Sequence, residues 1–223
     1  MTGSDSRGQP VKVAIIGAGG LGREVLWLLR CIGPRMEPIG FLDDDPPGDA
    51  VCGLPVFGPV EPSVITDPEV HYAWGIGVPG IRQAVVQRLG AVRYATLRHP
   101  QMQQSEYVEI GEGTLVCAGA IVTTQVTIGR HALLNLNVTV GHDAVIGDYC
   151  TLGPGVHISG YVQLGEGVYV GTGAVLMPGV RAGAWSVIGA GAVVNRDIPE
   201  RVVAVGVPAR VIRPIQEVPG KGR

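Results

Sequence analysis

Residues 141–158 read GHDAVIGDYCTLGPGVHI. Ile146, Leu152 and Ile158 recur at steps of six, and Ala144, Cys150 and Val156 stand two residues before them. The same register runs back to Ile110 and forward to Val194, fifteen positions that are all Val, Ile or Leu except Ala182. The companion series, from Val108 to Ala192, holds only small or β-branched residues, and Gly follows the aliphatic residue in nine of the fifteen hexads. Neither an α-helix (period 3.6) nor an ordinary strand (period 2) sustains a strict six-residue period. A triangular solenoid does, because each hexad supplies one short strand and one corner. The aliphatic residue points inward, and Gly or a small polar residue takes the unusual dihedrals of the corner. The pattern predicts a parallel β-helix of about five coils over 96–200, with residues eighteen apart stacked on one another.

The N-terminal third follows different rules. Val11–Ile16 (VKVAII) fits a buried parallel strand, followed by Gly17-Ala18-Gly19-Gly20-Leu21-Gly22 and a helix from about Arg23 to Cys31. Ile39–Leu42 reads as a second strand and ends on Asp43-Asp44-Asp45. Strand, glycine turn, helix, strand and acid make a mononucleotide-binding half, in which the turn lets backbone N–H groups approach a phosphate at a helix N-terminus. An aspartate after the second strand can hold a ribose hydroxyl or a base edge. Val56–Val60, Val70–Ile76 and a helix over Gly80–Leu89 complete a small sheet, with Gly75-Ile76-Gly77 on its carboxyl edge, and Pro-rich 46–62 reads as loop. The solenoid starts too early for both halves of a dinucleotide fold. A nucleotide-sugar pocket is therefore the preferred reading, with NAD or a purely structural turn as the others. The expected division is a tail over 1–10, a Rossmann-like nucleotide-sugar domain over 11–95, the β-helix over 96–200, and a closing segment and tail over 201–223.

Composition narrows the function. The chain has 223 residues, 46% hydrophobic and 5% aromatic, and a net charge of −2 with no block of one sign. That composition supports a packed core and argues against nucleic acid as the main partner. Cys31, Cys52, Cys117 and Cys150 show no CxxC and read as small buried residues in a reducing compartment. The N-terminus lacks an apolar leader and no run reaches the roughly 18 residues of a membrane span, so the expected location is the cytoplasm.

Three histidines lie in the solenoid. His131, His142 and His157 are 11 and 15 apart, whereas stacking requires eighteen. That speaks against a metal triad within one chain, and no metal is expected. His142 is the second residue after inward Val140, which puts it at a corner, directed outward. Asp143 follows it and can polarise the ring. A general base within reach of an amine or hydroxyl is the group that acyl transfer from a thioester needs.

Taken together, Gly17–Gly20, Phe41-Leu42-Asp43-Asp44, Gly141-His142-Asp143, the hexads and Gly206-Val207-Pro208-Ala209-Arg210 resemble the sialic-acid O-acetyltransferase-like hexapeptide-repeat family. That family includes N-acetyltransferases of nucleotide-linked amino sugars, of the bacillosamine, viosamine and perosamine type. The resemblance covers roughly 11–213. It implies a left-handed β-helix, a homotrimer with active sites between adjacent prisms, acetyl-CoA as donor and a nucleotide-linked 4-amino-4,6-dideoxy sugar as acceptor. It implies His142 as base and Asp143 as the acid beside it. Gly19, Gly20, Leu21, Asp43, Asp44, Gly77 and Asn135 then belong to the acceptor site. Gly160, Gly171, Thr172 and Ala190 line the CoA channel, and Pro208 and Arg210 lie in a segment that closes over CoA. Leu21 and Thr151 stand where members often carry His, and Thr151 is expected to keep a CoA contact through its hydroxyl. Three other readings stay open: O-acetylation of a sialic-acid-like sugar or other alcohol, a non-enzymatic nucleotide-binding scaffold, and a metal-dependent lyase.

Overall fold

The computed structural model describes residues 9–216, so nearly all of the expected tail 1–10 and the segment 217–223 lie outside the described residues. The amino-terminal domain is a parallel sheet of four strands, in the order β2 (Met36–Leu42), β1 (Val11–Ile16), β5 (His71–Trp74), β6 (Arg93–Tyr94). Helices α1 (Gly20–Ile32) and α2 (Pro79–Leu89) are the crossovers. α1 buries Val25, Leu26, Leu28 and Leu29, the spacing of one helical stripe. Gly17, Gly22 and Gly75 interlock without side chains. A Cβ on Gly75 would stand 2.5 Å from the Gly17 carbonyl oxygen and 2.8 Å from the Gly22 Cα.

Val56–Val60 is not a strand. Val56 makes only an isolated parallel bridge to Phe41, because Gly58-Pro59 ends the extended run and the Val60 N–H is taken by the Asp44 carboxylate. The Pro-rich segment expected as loop instead contains the hairpin β3 (Ala50–Val51) and β4 (Leu54–Pro55). Cys52 and Gly53 turn it, both at positive φ (50° and 83°), as a two-residue hairpin requires. Cys52 is therefore exposed, and only Cys150 of the four free cysteines is fully buried.

The rest of the chain winds into a three-faced parallel β-helix. The first face carries Leu97–Arg98, Leu115–Val116, Leu133–Leu134, Thr151–Leu152, Tyr169–Val170, Val187–Ile188 and Val202–Val205, closed by antiparallel Arg210–Pro214. The second runs from Gln103–Gln104 to Val193–Val194, and the third from Val108–Ile110 to Arg181–Ala182. Partners are eighteen apart, as in Leu133↔Thr151, Thr139↔His157 and Val145↔Gln163. Past Ile110 the inward series is buried: Val140, Leu152, Val170 and Leu176 are all 0% exposed. The prism is longer than the hexads suggest, with six coils and the start of a seventh, because Leu97–Arg98 and Gln103–Gln104 precede the pattern and Val202–Val205 follows it. Arg98 and Gln104 take the inward register there and are exposed at the open end. With no coil below them, the apolar rule does not apply.

The amino-terminal domain sits on the first face. Leu97, Leu115 and Leu133 belong to its apolar core, not to that of the prism, and burying each contributes roughly 1.5–3 kcal/mol. Arg82 of α2, 0% exposed, penetrates the joint. Its guanidinium donates to the carbonyls of Ile76, His131, Tyr149 and Cys150 and to the Thr151 hydroxyl. Trp74, Tyr94, His131 and Tyr149 stack beside it.

Candidate active site

The corner sequence Gly141-His142-Asp143 joins the second face to the third. Asp143 adopts a left-handed φ of 58°, a conformation that Asp tolerates better than most residues. It directs the carboxylate back onto the ring, and Asp143 Oδ2 lies 2.8 Å from His142 Nδ1. An aspartate acceptor at Nδ1 fixes that nitrogen as the donor and leaves the Nε2 lone pair free. One coil on, Gly160 lies under the imidazole: a Cβ there would stand 2.7 Å from both Cε1 and Nε2. Tyr161 abuts the ring edge-on, with centroids 5.0 Å apart. The histidine side chain is 54% exposed, so this edge of the prism is uncovered.

Gly171, Thr172 and Ala190 lie on a different edge, where the first face meets the second, and a Cβ on Gly171 would stand 2.6 Å from the Ala190 N. Asn135 is on that edge too, its Oδ1 accepting from the Leu136 N–H. Gly206–Arg210 is the turn of the final hairpin. It continues the edge past Ala192, with the Val193 N–H donating to Gly206 O and the Ala209 N–H to Val193 O; Pro208 and Arg210 are exposed. Within one chain the structure unites His142, Asp143 and Gly160, and separately unites Asn135, Gly171, Thr172, Ala190 and Pro208. The second face, a run of roughly six residues at about 3.3 Å each, stands between the two groups.

On the amino-terminal domain, Gly19 and Gly20 open outward at the N-terminus of α1, and Leu21 touches Gly77, Cδ2 lying 3.6 Å from a Cβ placed there. Asp43 braces this loop, its carboxylate accepting from the N–H groups of Ala18 (2.7 Å) and Asp45 (2.9 Å). Asp44 accepts from Val60 N–H and pairs with Arg88 at 2.9 Å. Partial burial pushes its carboxyl up, but the Val60 N–H and Arg88 outweigh it, and the net shift is downward. Thr151 is placed elsewhere. It is 4% exposed on the first face, its hydroxyl donating to Gly77 O and accepting from Arg82, so that hydroxyl serves the domain joint. Arg82 itself went unread in the sequence, since a lone Arg on a short helix has the pattern of a solvated face. Among the described residues no three His, Cys, Asp or Glu side chains come together as a metal site would need, and no helix is long and apolar enough to cross a membrane.

Known proteins share this arrangement. The family model for the PglD N-terminal domain matches residues 12–89, and that for six repeats of the bacterial transferase hexapeptide matches 125–160. The structure of PerB, a perosamine N-acetyltransferase from Caulobacter crescentus in complex with CoA and GDP-perosamine, superposes with a TM-score of 0.83 at 34% identity, covering 91% of this chain and 97% of that one. The chain belongs to the hexapeptide-repeat acyltransferase family. The acetyltransferase domain of PglB from Neisseria gonorrhoeae, in complex with acetyl coenzyme A, gives 0.84 at 32% identity (91% and 100% covered). WeeI from Acinetobacter baumannii gives 0.82 at 31% (90% and 99%). A galactoside O-acetyltransferase of Escherichia coli is 66% identical over 32 residues, a stretch that is 14% of this chain and 16% of that protein. This member of the hexapeptide-repeat acyltransferases is an enzyme with a PglD-type N-terminal domain in front of the repeats.

Proposed function

We propose that the chain transfers the acetyl group of acetyl-CoA to the C4 amine of a nucleotide-linked 4-amino-4,6-dideoxy sugar, with His142 as general base. The carrying observation is the pairing of His142 Nδ1 with Asp143, which leaves Nε2 as a free acceptor above Gly160. Nε2 takes a proton from the amine as its nitrogen attacks the thioester carbonyl. A C–N bond forms and the C–S bond breaks; CoA leaves as thiolate and takes up the proton. The Gly160 N–H, which donates to no backbone carbonyl among the described residues, stabilises the oxyanion. The acceptor's phosphates rest at the open N-terminus of α1, on Gly19, Gly20 and Leu21, with Asp43, Asp44 and Gly77 on the side of the nucleoside.

The unit that works is a homotrimer. His142 projects from the corner opposite the first face, which carries the chain's own nucleotide domain. A second copy is needed to bring that base beside Asn135 and the Gly171–Ala190 edge. The second face is suited to the contact, for its outward residues Gln103, Ile121, Thr139, His157, Val175 and Val193 carry no Lys, Arg, Asp or Glu. Gly171, Thr172, Ala190, Pro208 and Arg210 then line the CoA channel. Donor and neighbours support this reading: the PerB complex holds CoA and GDP-perosamine, and the PglB domain holds acetyl coenzyme A. The short match to a galactoside O-acetyltransferase favours a second reading, acetylation of a hydroxyl. Supplying acetyl-CoA with GDP-, UDP- and dTDP-linked 4-amino sugars and their 4-hydroxy counterparts tests both. Turnover confined to one amino sugar is expected, and turnover confined to hydroxy sugars would overturn the N-acetyl assignment.

A further inference from the structure

The corner between the second and third faces repeats every eighteen residues, so Gly160 follows His142 one coil on and Tyr161 follows Asp143. Gly160 leaves the space that the imidazole fills. Tyr161, whose N–H donates to His142 O at 2.9 Å, sets its ring across the imidazole, at 89° and with centroids 5.0 Å apart. The fold itself does not call for an aromatic residue here. Gln125, Asp143, Tyr161 and Gly179 occupy the same corner position in four successive coils, all left-handed, with φ of 54°, 58°, 60° and 74°. That conformation favours Gly, Asn or Asp over a bulky side chain. Tyr149 also adopts it (58°), but stacks on buried His131 in the domain joint, with centroids 5.1 Å apart. Tyr161 has no comparable burial to offset the strain: it is 59% exposed, and the ring it meets is that of His142. Backbone strain of this kind, kept at an exposed position beside a reactive group, points to function.

We infer that Tyr161 is a positioning residue for the base: its ring fixes the orientation of the His142 imidazole and so the direction of the Nε2 lone pair. The inference rests on the assignment of His142 as base given above. His142 and Asp143 are joined by one hydrogen bond, and their side chains are 54% and 41% exposed. One bond between two exposed side chains settles which nitrogen carries the proton, but it leaves the pair free to swing together. Two contacts from the next coil remove that freedom. The Gly160 backbone bounds the imidazole along Cε1 and Nε2, where a Cβ would stand 2.7 Å from each atom, and the perpendicular Tyr161 ring bounds its flank. Perpendicular rings with centroids roughly 4.5–7 Å apart are a preferred aromatic arrangement, so the contact holds a direction as well as a distance. The ring makes this contact, and the phenol hydroxyl is not needed for it.

Steady-state kinetics of the full chain, with acetyl-CoA and its best sugar-nucleotide acceptor, test this in Tyr161→Asn and Tyr161→Phe, alongside thermal unfolding and sedimentation. Asn suits the left-handed φ, so Tyr161→Asn should melt no lower than the parent and sediment with it. Its kcat should fall about tenfold, short of the roughly 10²-fold that a ~1 Å misplacement can cost, with KM for both substrates unchanged. Tyr161→Phe keeps the ring and should restore the parental kcat. Parental kcat in Tyr161→Asn would overturn the inference. So would an equal loss in both variants, which would give the role to the hydroxyl, or a loss that follows a change in sedimentation, which would assign Tyr161 to a contact between copies. Near-normal turnover in His142→Ala, or no turnover by the parent with any sugar nucleotide, would overturn the inference and the base reading together.

Discussion

Two histidines occupy corners of one prism and meet opposite fates. His131, between the third face and the first, is 1% exposed, with Trp74, Tyr94 and Tyr149 around it and Trp74 Nε1–H donating to its Nδ1 at 3.3 Å. His142, between the second face and the third, has a carboxylate on Nδ1 and its other nitrogen open to solvent. Each lies against a glycine of an adjacent coil, Gly113 for His131 and Gly160 for His142. The repeat thus builds similar niches at both corners, and the domain packed on the first face decides which of them can do chemistry. A buried neutral imidazole without a carboxylate is a packing element. An exposed one with Asp143 behind it is placed to act as the base proposed above.

The largest effect that separates them is catalytic. His142→Ala should lower turnover by about 10²–10⁴-fold, the usual contribution of a positioned base, while its melting temperature stays within error of the parent, since the side chain is half exposed. Near-normal turnover would erase the distinction between the corners. Arg82→Met acts on the other side of the comparison. It removes the donors that satisfy buried carbonyls of Ile76, His131, Tyr149 and Cys150, and should destabilise the chain by roughly 3–5 kcal/mol. Burial pulls the guanidinium down to about 10, which still leaves it charged at neutral pH. Thermal unfolding indistinguishable from the parent would mean that the domain joint does not depend on Arg82.

How much of this was legible depended on how local the determinants were. The hexad period is repeated in every coil and needs no partner, so the prism could be read from Ile110 to Val194. Its first coil could not, because Arg98 and Gln104 sit at an open end where polar residues are tolerated. β1 and α1 follow from an apolar run and a glycine turn. The β3–β4 hairpin does not, because it depends on Cys52 accepting a positive φ. His142 and Asp143 adjoin in sequence, so their pairing was readable. The joint around Arg82 and Thr151, from positions 69 residues apart, exists only once the two domains meet. That is why Thr151 was read as a CoA contact and is instead bonded to Gly77 and Arg82.

The smallest predicted effect is a pH dependence confined to the buried corner. Burial, reinforced by Arg130 and Arg82 and opposed by Glu112 and Asp148, pulls His131 down to about 4 from an ordinary value of 6.5. Between those two values the unfolded chain binds a proton at this histidine and the folded chain does not. Stability contributed by the neutral ring is therefore complete above about pH 6.5 and is lost as pH falls toward 4, by at most about 3 kcal/mol at 1.36 kcal/mol per unit. Protonation would also place a second donor against the Trp74 Nε1–H, which now donates to His131 Nδ1. Melting curves at pH 7.0 and 5.0 should show that loss in the parent. In His131→Asn, where Asn suits the left-handed φ of 56° at this corner, the acid-dependent part should disappear even if the variant is less stable throughout. An equal acid loss in both proteins would assign the effect to other groups and leave the two corners alike in their response to protons.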